Sequence, residues 1–279
     1  MGSTTQWVEA GLLGLIQGLT EFLPISSSAH LRIAGEFLPT GSDPGAAFTA
    51  ITQIGTETAV LIYFRRDIFR IARAWLLSFV KPALEDAHDV RLGWLVILGT
   101  LPIAVLGLVF KDAIEGHLRN LYVTATMLVA FGALLGLADQ LGRRTLPLKA
   151  LSWRDGLLLG FAQAMALIPG VSRSGGTISA GLALGYTREA AARYSFLLAI
   201  PAVLASGFYE LFRHWGQFGP IGPAETLFAT AIAFVVGYFV IVGFLKLVAT
   251  RSYMPFVYYR IALGFFILGL LGAGVLAPI

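Results

Sequence analysis

The chain has 279 residues, 57% of them hydrophobic and only 13% charged, with 20 Lys and Arg against 16 Asp and Glu. Soluble proteins carry about 25% charged residues; a chain this apolar cannot hide its side chains in one water-soluble core and reads as an integral membrane protein. It has no Cys, which excludes a disulfide scaffold, a thiolate nucleophile and a Cys-based metal site, and basic cytoplasmic loops explain the net charge of +4 more simply than nucleic-acid binding does.

Residues 1–31 contain no Lys or Arg, so no cleavable leader is expected. Hydrophobic stretches then fall at about 8–25, 46–64, 93–110, 121–138, 157–171, 194–212, 225–248 and 258–277. All but the first and fifth are expected to cross the bilayer once, at roughly 20 apolar residues per crossing. The first runs into Leu23-Pro24-Ile25-Ser26-Ser27-Ser28-Ala29-His30 and the fifth into Ile168-Pro169-Gly170-Val171-Ser172-Arg173-Ser174-Gly175-Gly176-Thr177. Pro removes a backbone donor and the Ser/Gly runs favour turns, so each helix is expected to stop there. Broken backbone at membrane depth is tolerated only inside protein or beside a water-filled cavity.

The two broken segments are related by a shift of 146 residues, which aligns Trp7 with Trp153, Gln17 with Gln163, Ser26 with Ser172, Ser28 with Ser174 and Tyr63 with Tyr209 without a gap. The chain therefore reads as one all-α polytopic membrane domain over 1–279. It is an inverted repeat of two halves, about 1–140 and about 150–279, each a re-entrant broken hairpin plus three transmembrane helices; the odd number of crossings turns one half upside down. With the 65–92 loop inside, 15 cations fall inside, Arg260 among them, against Arg32, Lys111, Arg119 and Arg213 outside. Arg173 is left within the membrane, and both termini face outside.

Polar residues are costly at membrane depth, at least ~2.5 kcal/mol for an ionisable group near the middle, and mark function by default. Gln17 and Glu21 share one helical face, with three serines and His30 immediately after. A polar pair that only glues helices is the blander reading. Arg173, between Ser172 and Ser174 and before two glycines, suits an anion: the guanidinium matches phosphate oxygens, hydroxyls add donors and glycines permit close approach. Alternatively Arg173 pairs with Glu21 as a structural ion pair, and both can hold. The halves have diverged: Glu21 aligns with Leu167, Ser27 with Arg173 and His30 with Gly176. One arm keeps acid/base and hydroxyl groups and the other the cation, as a phosphate-processing centre requires. Gln53 and Glu57 either extend this polar cavity or join helices. Ser195 reads as helix glue; His88, His117 and His214 as solvent-facing loop residues; the aromatics near 253–259 as an interfacial belt first and a ligand surface second.

These motifs resemble those of the undecaprenyl-diphosphate phosphatase family, also called the bacitracin-resistance protein family. The signatures are Gln17-Gly-Leu-Thr-Glu21 running into Pro24-Ile-Ser26-Ser27-Ser28-Ala-His30, and Pro169-Gly170-Val-Ser172-Arg173-Ser174-Gly-Gly-Thr177. The likeness covers essentially the whole chain. It implies a membrane hydrolase that converts undecaprenyl diphosphate to undecaprenyl phosphate and inorganic phosphate. Such an enzyme recycles the lipid carrier for peptidoglycan synthesis and confers bacitracin resistance in the bacterial plasma (inner) membrane. A divalent cation, Mg or Ca, is implied, with Glu21 as its ligand; many members have Glu where this chain has Gln17, so Glu21 must do more. Glu21, Ser27, His30 and Arg173 are the expected catalytic residues. Gln17, Ser26, Ser28, Ser172, Ser174 and Thr177 are the expected substrate-binding ones. Ser27 is favoured as nucleophile, with attack by His30 or by activated water left open. The partners are the polyprenyl diphosphate lipid and the bilayer, with no nucleic acid. Small residues on the spans permit a homodimer, and the site is expected to open to the periplasmic side. The rival reading is a transporter that flips polyprenyl phosphate through the same inverted-repeat site.

Overall fold

The protein is seen here in a computed structural model that describes residues 3–39, 43–81, 86–214 and 221–278. Twelve helices follow one another among these residues: α1 (Ser3–Thr20), α2 (Ser27–Phe37), α3 (Gly45–Tyr63), α4 (Arg65–Ser78), α5 (Ala87–Val109), α6 (Lys111–Glu115), α7 (Leu121–Leu141), α8 (Trp153–Ala164), α9 (Arg173–Ala183), α10 (Arg188–Arg213), α11 (Pro223–Thr250) and α12 (Met254–Gly272). No strand is formed among them; the sole β-type contact is an isolated bridge between Leu146 and Tyr186.

Five helices, α5, α7, α10, α11 and α12, are long and apolar enough to cross a membrane. The sequence suggests a sixth over 46–64. That segment is α3, whose 19 residues are long enough, but Gln53, Glu57 and its threonines make it less apolar than the others. Large side chains such as Leu101, Val105 and Leu108 on α5 and Leu227 and Phe239 on α11 stay exposed, as a lipid-facing surface requires.

Both expected breaks form, about one turn earlier than the composition suggests. α1 ends at Thr20 and α8 at Ala164, and the Ser-rich stretches open the next helices instead of extending the turns. Serine is a poor helix interior residue but a good starter: Ser172 Oγ accepts from the Gly175 N–H at 3.1 Å and caps α9. Ser27 and Arg173 are thus the first residues of α2 and α9. Each of these helices has 11 residues, about 16 Å at 1.5 Å per residue, roughly half the hydrocarbon thickness. The residues just before them, Ser26 and Ser172, both take left-handed backbone, with φ of 71° and 70°. Such strain costs ~1–3 kcal/mol at a non-glycine residue and persists where surrounding structure imposes it.

The packing crosses between the sequence halves. α1 lies along α11, α8 along α5, α3 along both α10 and α11, and α7 along α12. Glycine allows α1 to close on α11 and α8 on α5. A Cβ on Gly14 would strike the Ala229 carbonyl, and one on Gly160 would lie 2.5 Å from the Gly99 oxygen. The largest buried cluster, including Phe22, Phe64, Tyr194, Phe196, Ile241 and Phe244, lies where these elements converge.

Charged contacts gather at the two ends of α7, about 30 Å apart. Beside its C-terminus, Arg188 Nε donates to Asp139 at 2.6 Å and Ser252 Oγ donates to the same carboxylate at 2.5 Å. Arg193 meets Asp67 at 2.8 Å, Arg70 meets Asp89 at 2.6 Å and Arg91 donates to the Lys149 carbonyl at 3.0 Å. Beside the N-terminus of α7, Arg119 pairs with Asp43 at 2.6 Å, and Arg32 donates to the carbonyls of Arg119 and Pro278 at 2.7 and 3.2 Å. Every one of these contacts joins segments that the charge pattern assigns to the same side.

Candidate active site

The breaks bring their two arms together around one carboxylate. Glu21 sits in the first break; Ser27 at the start of α2 donates its hydroxyl to Glu21 Oε2 at 2.6 Å. Gln17, one turn back on α1, donates its amide to the same oxygen at 2.7 Å, and Gln53 of α3 does so at 3.4 Å. The other oxygen, Oε1, accepts from Arg173 Nη2 at 2.7 Å. Glu21 and Ser27 are buried, 7% and 8% exposed. In such surroundings an ion pair is less screened than at a surface, and a Ser–carboxylate contact of this length is a charge-assisted hydrogen bond.

Gln53 and Glu57, which the sequence leaves open to two readings, both face this cluster. Glu57 is fully buried and its Oε2 lies 3.9 Å from Arg173 Nη2. Neither of its carboxyl oxygens has a hydrogen-bond partner, nor has Gln17 Oε1. Gln163, the counterpart of Gln17, is also fully buried, with both amide atoms unpartnered.

The remaining expected site residues serve the backbone. Thr177 Oγ1 donates to the Arg173 carbonyl at 3.0 Å, and Ser174 Oγ donates to the Leu23 carbonyl of the opposite break at 3.1 Å. Ser26 and Ser28 face each other at 3.3 Å, as Ser172 and Ser174 do at 3.2 Å. His30 stands apart from Glu21: Nδ1 meets the Ser26 carbonyl at 2.7 Å and Nε2 the Tyr259 hydroxyl at 2.6 Å, with the two rings stacked.

Arg260 is placed wrongly by the charge count. It does not lie with the inner cations but is fully buried on α12. Nη1 donates to the Pro24 carbonyl at 2.9 Å, and Nη2 to the carbonyls of Gly170 and Val171, both at 2.9 Å. One guanidinium thus pins both breaks. The available signal was its position inside the apolar stretch 258–277, the criterion that singled out Arg173. The aromatic belt expected near 253–259 is likewise only partial: Tyr253 is fully buried and Tyr259 holds His30. His88 is not a free loop residue either; it lies in the first turn of α5, 3.2 Å from Asp89. His214 pairs with Glu210 at 3.0 Å, while His117 is exposed.

The geometry supplies a hydroxyl on a carboxylate, a cation beside it, and the N-termini of two half-helices. N-termini carry unpaired N–H groups and partial positive charge, which favour anions. Comparison with known proteins points the same way. The chain is 69% identical over 271 residues to undecaprenyl-diphosphatase 2 of Agrobacterium fabrum, covering 97% of this chain and 98% of that protein. It is 63% identical to an undecaprenyl-diphosphatase of Paenarthrobacter aurescens, covering 97% and 99%. It is 57% identical to undecaprenyl-diphosphatase 2 of Streptomyces coelicolor, covering 98% and 97%. Residues 10–266 match the family described as bacitracin resistance protein BacA, and the chain belongs to that family.

Proposed function

We propose that the protein is a membrane phosphatase that removes the terminal phosphate of undecaprenyl diphosphate. The single observation that carries the reading, beside the family, is the 2.6 Å contact of Ser27 Oγ with the Glu21 carboxylate next to Arg173. A transporter needs an anion site but has no use for a hydroxyl on a base.

In this reading Arg173 and the half-helix N-termini hold the diphosphate. Ser27 Oγ passes its proton to Glu21 Oε2 and attacks the terminal phosphorus, and the bond to the bridging oxygen breaks. Undecaprenyl phosphate leaves. Water then cleaves the phosphoserine, restoring the Ser27 hydroxyl and releasing inorganic phosphate. Ser27 is preferred to His30 as nucleophile because both His30 ring nitrogens are engaged away from the carboxylate. Ser172, Ser174 and Thr177 position Arg173; Arg260 holds the breaks. The isoprenoid tail runs along apolar helix faces open to lipid.

A divalent cation fits the residues present. Glu57 Oε1 and Oε2 and Gln17 Oε1 are buried oxygens without hydrogen bonds close to the Arg173–Glu21 pair, and hard cations such as Mg and Ca take oxygen ligands. Bound there, it would neutralise phosphate charge. We further propose that the halves are inverted, with the Asp139–Arg188 end of the molecule cytoplasmic and the site open to the periplasmic side. The pairing of charged segments supports this grouping, and the excess of cations at the Asp139–Arg188 end supports its orientation.

The test is phosphate release by the purified protein from lipid diphosphates, with and without EDTA. Release from wild type and its loss in Ser27→Ala is the expected result. Translocation of lipid phosphate without any release would reverse the assignment.

A further inference from the structure

Glu57 is a fully buried carboxyl group that takes no part in the proton transfer or the attack described above. Its closest cation, Arg173 Nη2 at 3.9 Å, is beyond hydrogen-bond reach, and neither carboxyl oxygen has a hydrogen-bond partner. A buried carboxyl group with no donor is stable only if it keeps its proton or a cation reaches it. Glu21, by contrast, is saturated: Gln17, Ser27, Gln53 and Arg173 all donate to it. Arg173 Nη2 thus lies between the two carboxylates, bonded to one and near the other.

Gln17 makes the second, independent observation. Its Nε2 donates to Glu21 Oε2, while its Oε1 is buried without a partner. Arg173 thus stands between two carboxyl groups, and the side chain that donates to one of them, Gln17, carries a further buried oxygen without a hydrogen bond. Among the described residues no group of three or more His, Cys, Asp or Glu is gathered that could cage a metal. Mg characteristically binds through one or two carboxylates together with substrate phosphates, not through an all-protein cage.

We propose that Glu57 is a cation ligand in this chain, and that Arg173 guards the site until substrate draws it away. In the absence of diphosphate, Arg173 supplies the positive charge that the two carboxylates require. When a lipid diphosphate arrives, Arg173 turns to the phosphate oxygens, and the vacated carboxylates take the divalent cation that accompanies it. Cation and diphosphate therefore bind as a coupled pair, each favouring the other. The inference rests on the phosphatase reading for the identity of the diphosphate, but its test needs no turnover.

The probe is Mn2+ alone, added to substrate-free, detergent-purified full-length protein and followed by electron paramagnetic resonance. Wild type is expected to bind it weakly. Arg173→Gln, which removes the guarding charge, is expected to bind it ~10-fold or more tightly. Adding Glu57→Gln to that variant is expected to abolish the gain, whereas adding Gly243→Ala, where a Cβ meets open space, leaves it intact. Elution as a single peak and an unchanged helical circular dichroism spectrum establish that each variant is folded; Arg173→Lys, which keeps the charge, should bind as weakly as wild type. Equal Mn2+ affinity in wild type and Arg173→Gln, or a gain that survives Glu57→Gln, overturns the proposal. Failure of wild type to release phosphate from lipid diphosphate would instead overturn the phosphatase reading and leave the Mn2+ result to be judged separately.

Discussion

At the scale of single residues, the proposed reaction divides its chemistry among Ser27, Glu21 and Arg173 by contact. Ser27→Ala removes the hydroxyl that meets the carboxylate at 2.6 Å, and phosphate release is expected to fall by at least ~10³-fold. Glu21→Gln keeps the shape but not the base, and should cost ~10²–10⁴-fold. Normal turnover by either variant in detergent sinks the assignment. Arg260 offers a different kind of test. Its guanidinium reaches carbonyls from both breaks at 2.9 Å, a fork that a lysine ammonium cannot reproduce. Arg260→Lys should therefore lower stability and activity together, and Arg260→Ala should cost about 3 kcal/mol or more by leaving buried acceptors unmade. Thermal unfolding in detergent reads this directly; an unchanged midpoint would show that the breaks hold without the clamp. Glu21, Ser27 and Arg173 were legible in the sequence because they are polar residues in apolar or broken segments. Arg260 was not, because a cation six residues into α12 looks, in one dimension, like one at the end of a span.

At the scale of elements, the two short helices owe their position to strained starts and close glycine contacts. Ser26 and Ser172 share the same left-handed backbone at matched positions, so each half enters its second helix through the same bend. The long partners approach closely only because Gly14 and Gly160 lack side chains. Gly160→Ala is expected to destabilise by ~1–3 kcal/mol through overpacking. Gly269→Ala, with open space around it, should be neutral or gain up to ~1 kcal/mol from helix propensity. Comparable melting of the two variants would contradict this packing account. The pairing of α1 with α11 and of α8 with α5 could not be read from the repeat, since a shift of 146 residues relates segments without saying which ones touch.

At the scale of the whole molecule, charge segregation makes orientation testable. The chain has no Cys, so introduced cysteines report without background. Arg66→Cys, Arg143→Cys and Arg251→Cys are expected to resist a membrane-impermeant maleimide added to whole cells. Phe37→Cys, His117→Cys and Arg213→Cys should react, since all six positions are exposed on the protein. Labelling of Arg143→Cys from outside, or protection of Phe37→Cys, would defeat the proposed topology. The sign of the inner loops follows from the preference of Lys and Arg for the cytoplasmic side, and the contacts of Asp139, Asp67 and Asp89 with Arg188, Arg193 and Arg70 add a folded-state reason for those cations to sit where they do.

Composition and patterning alone determined that this chain belongs in a membrane, that two of its apolar segments break, and that Glu21, Ser27 and Arg173 are the polar residues worth explaining. These are properties of local sequence: apolarity sets the solvent, and Pro, Ser and Gly set where a helix stops. Only the tertiary structure decided that the breaks meet, that Arg260 joins them, that His30 turns to Tyr259, and that Glu57 stands beside Arg173 without a hydrogen bond. Each of those facts is a contact between residues far apart in the chain, fixed by helix packing that no local pattern encodes.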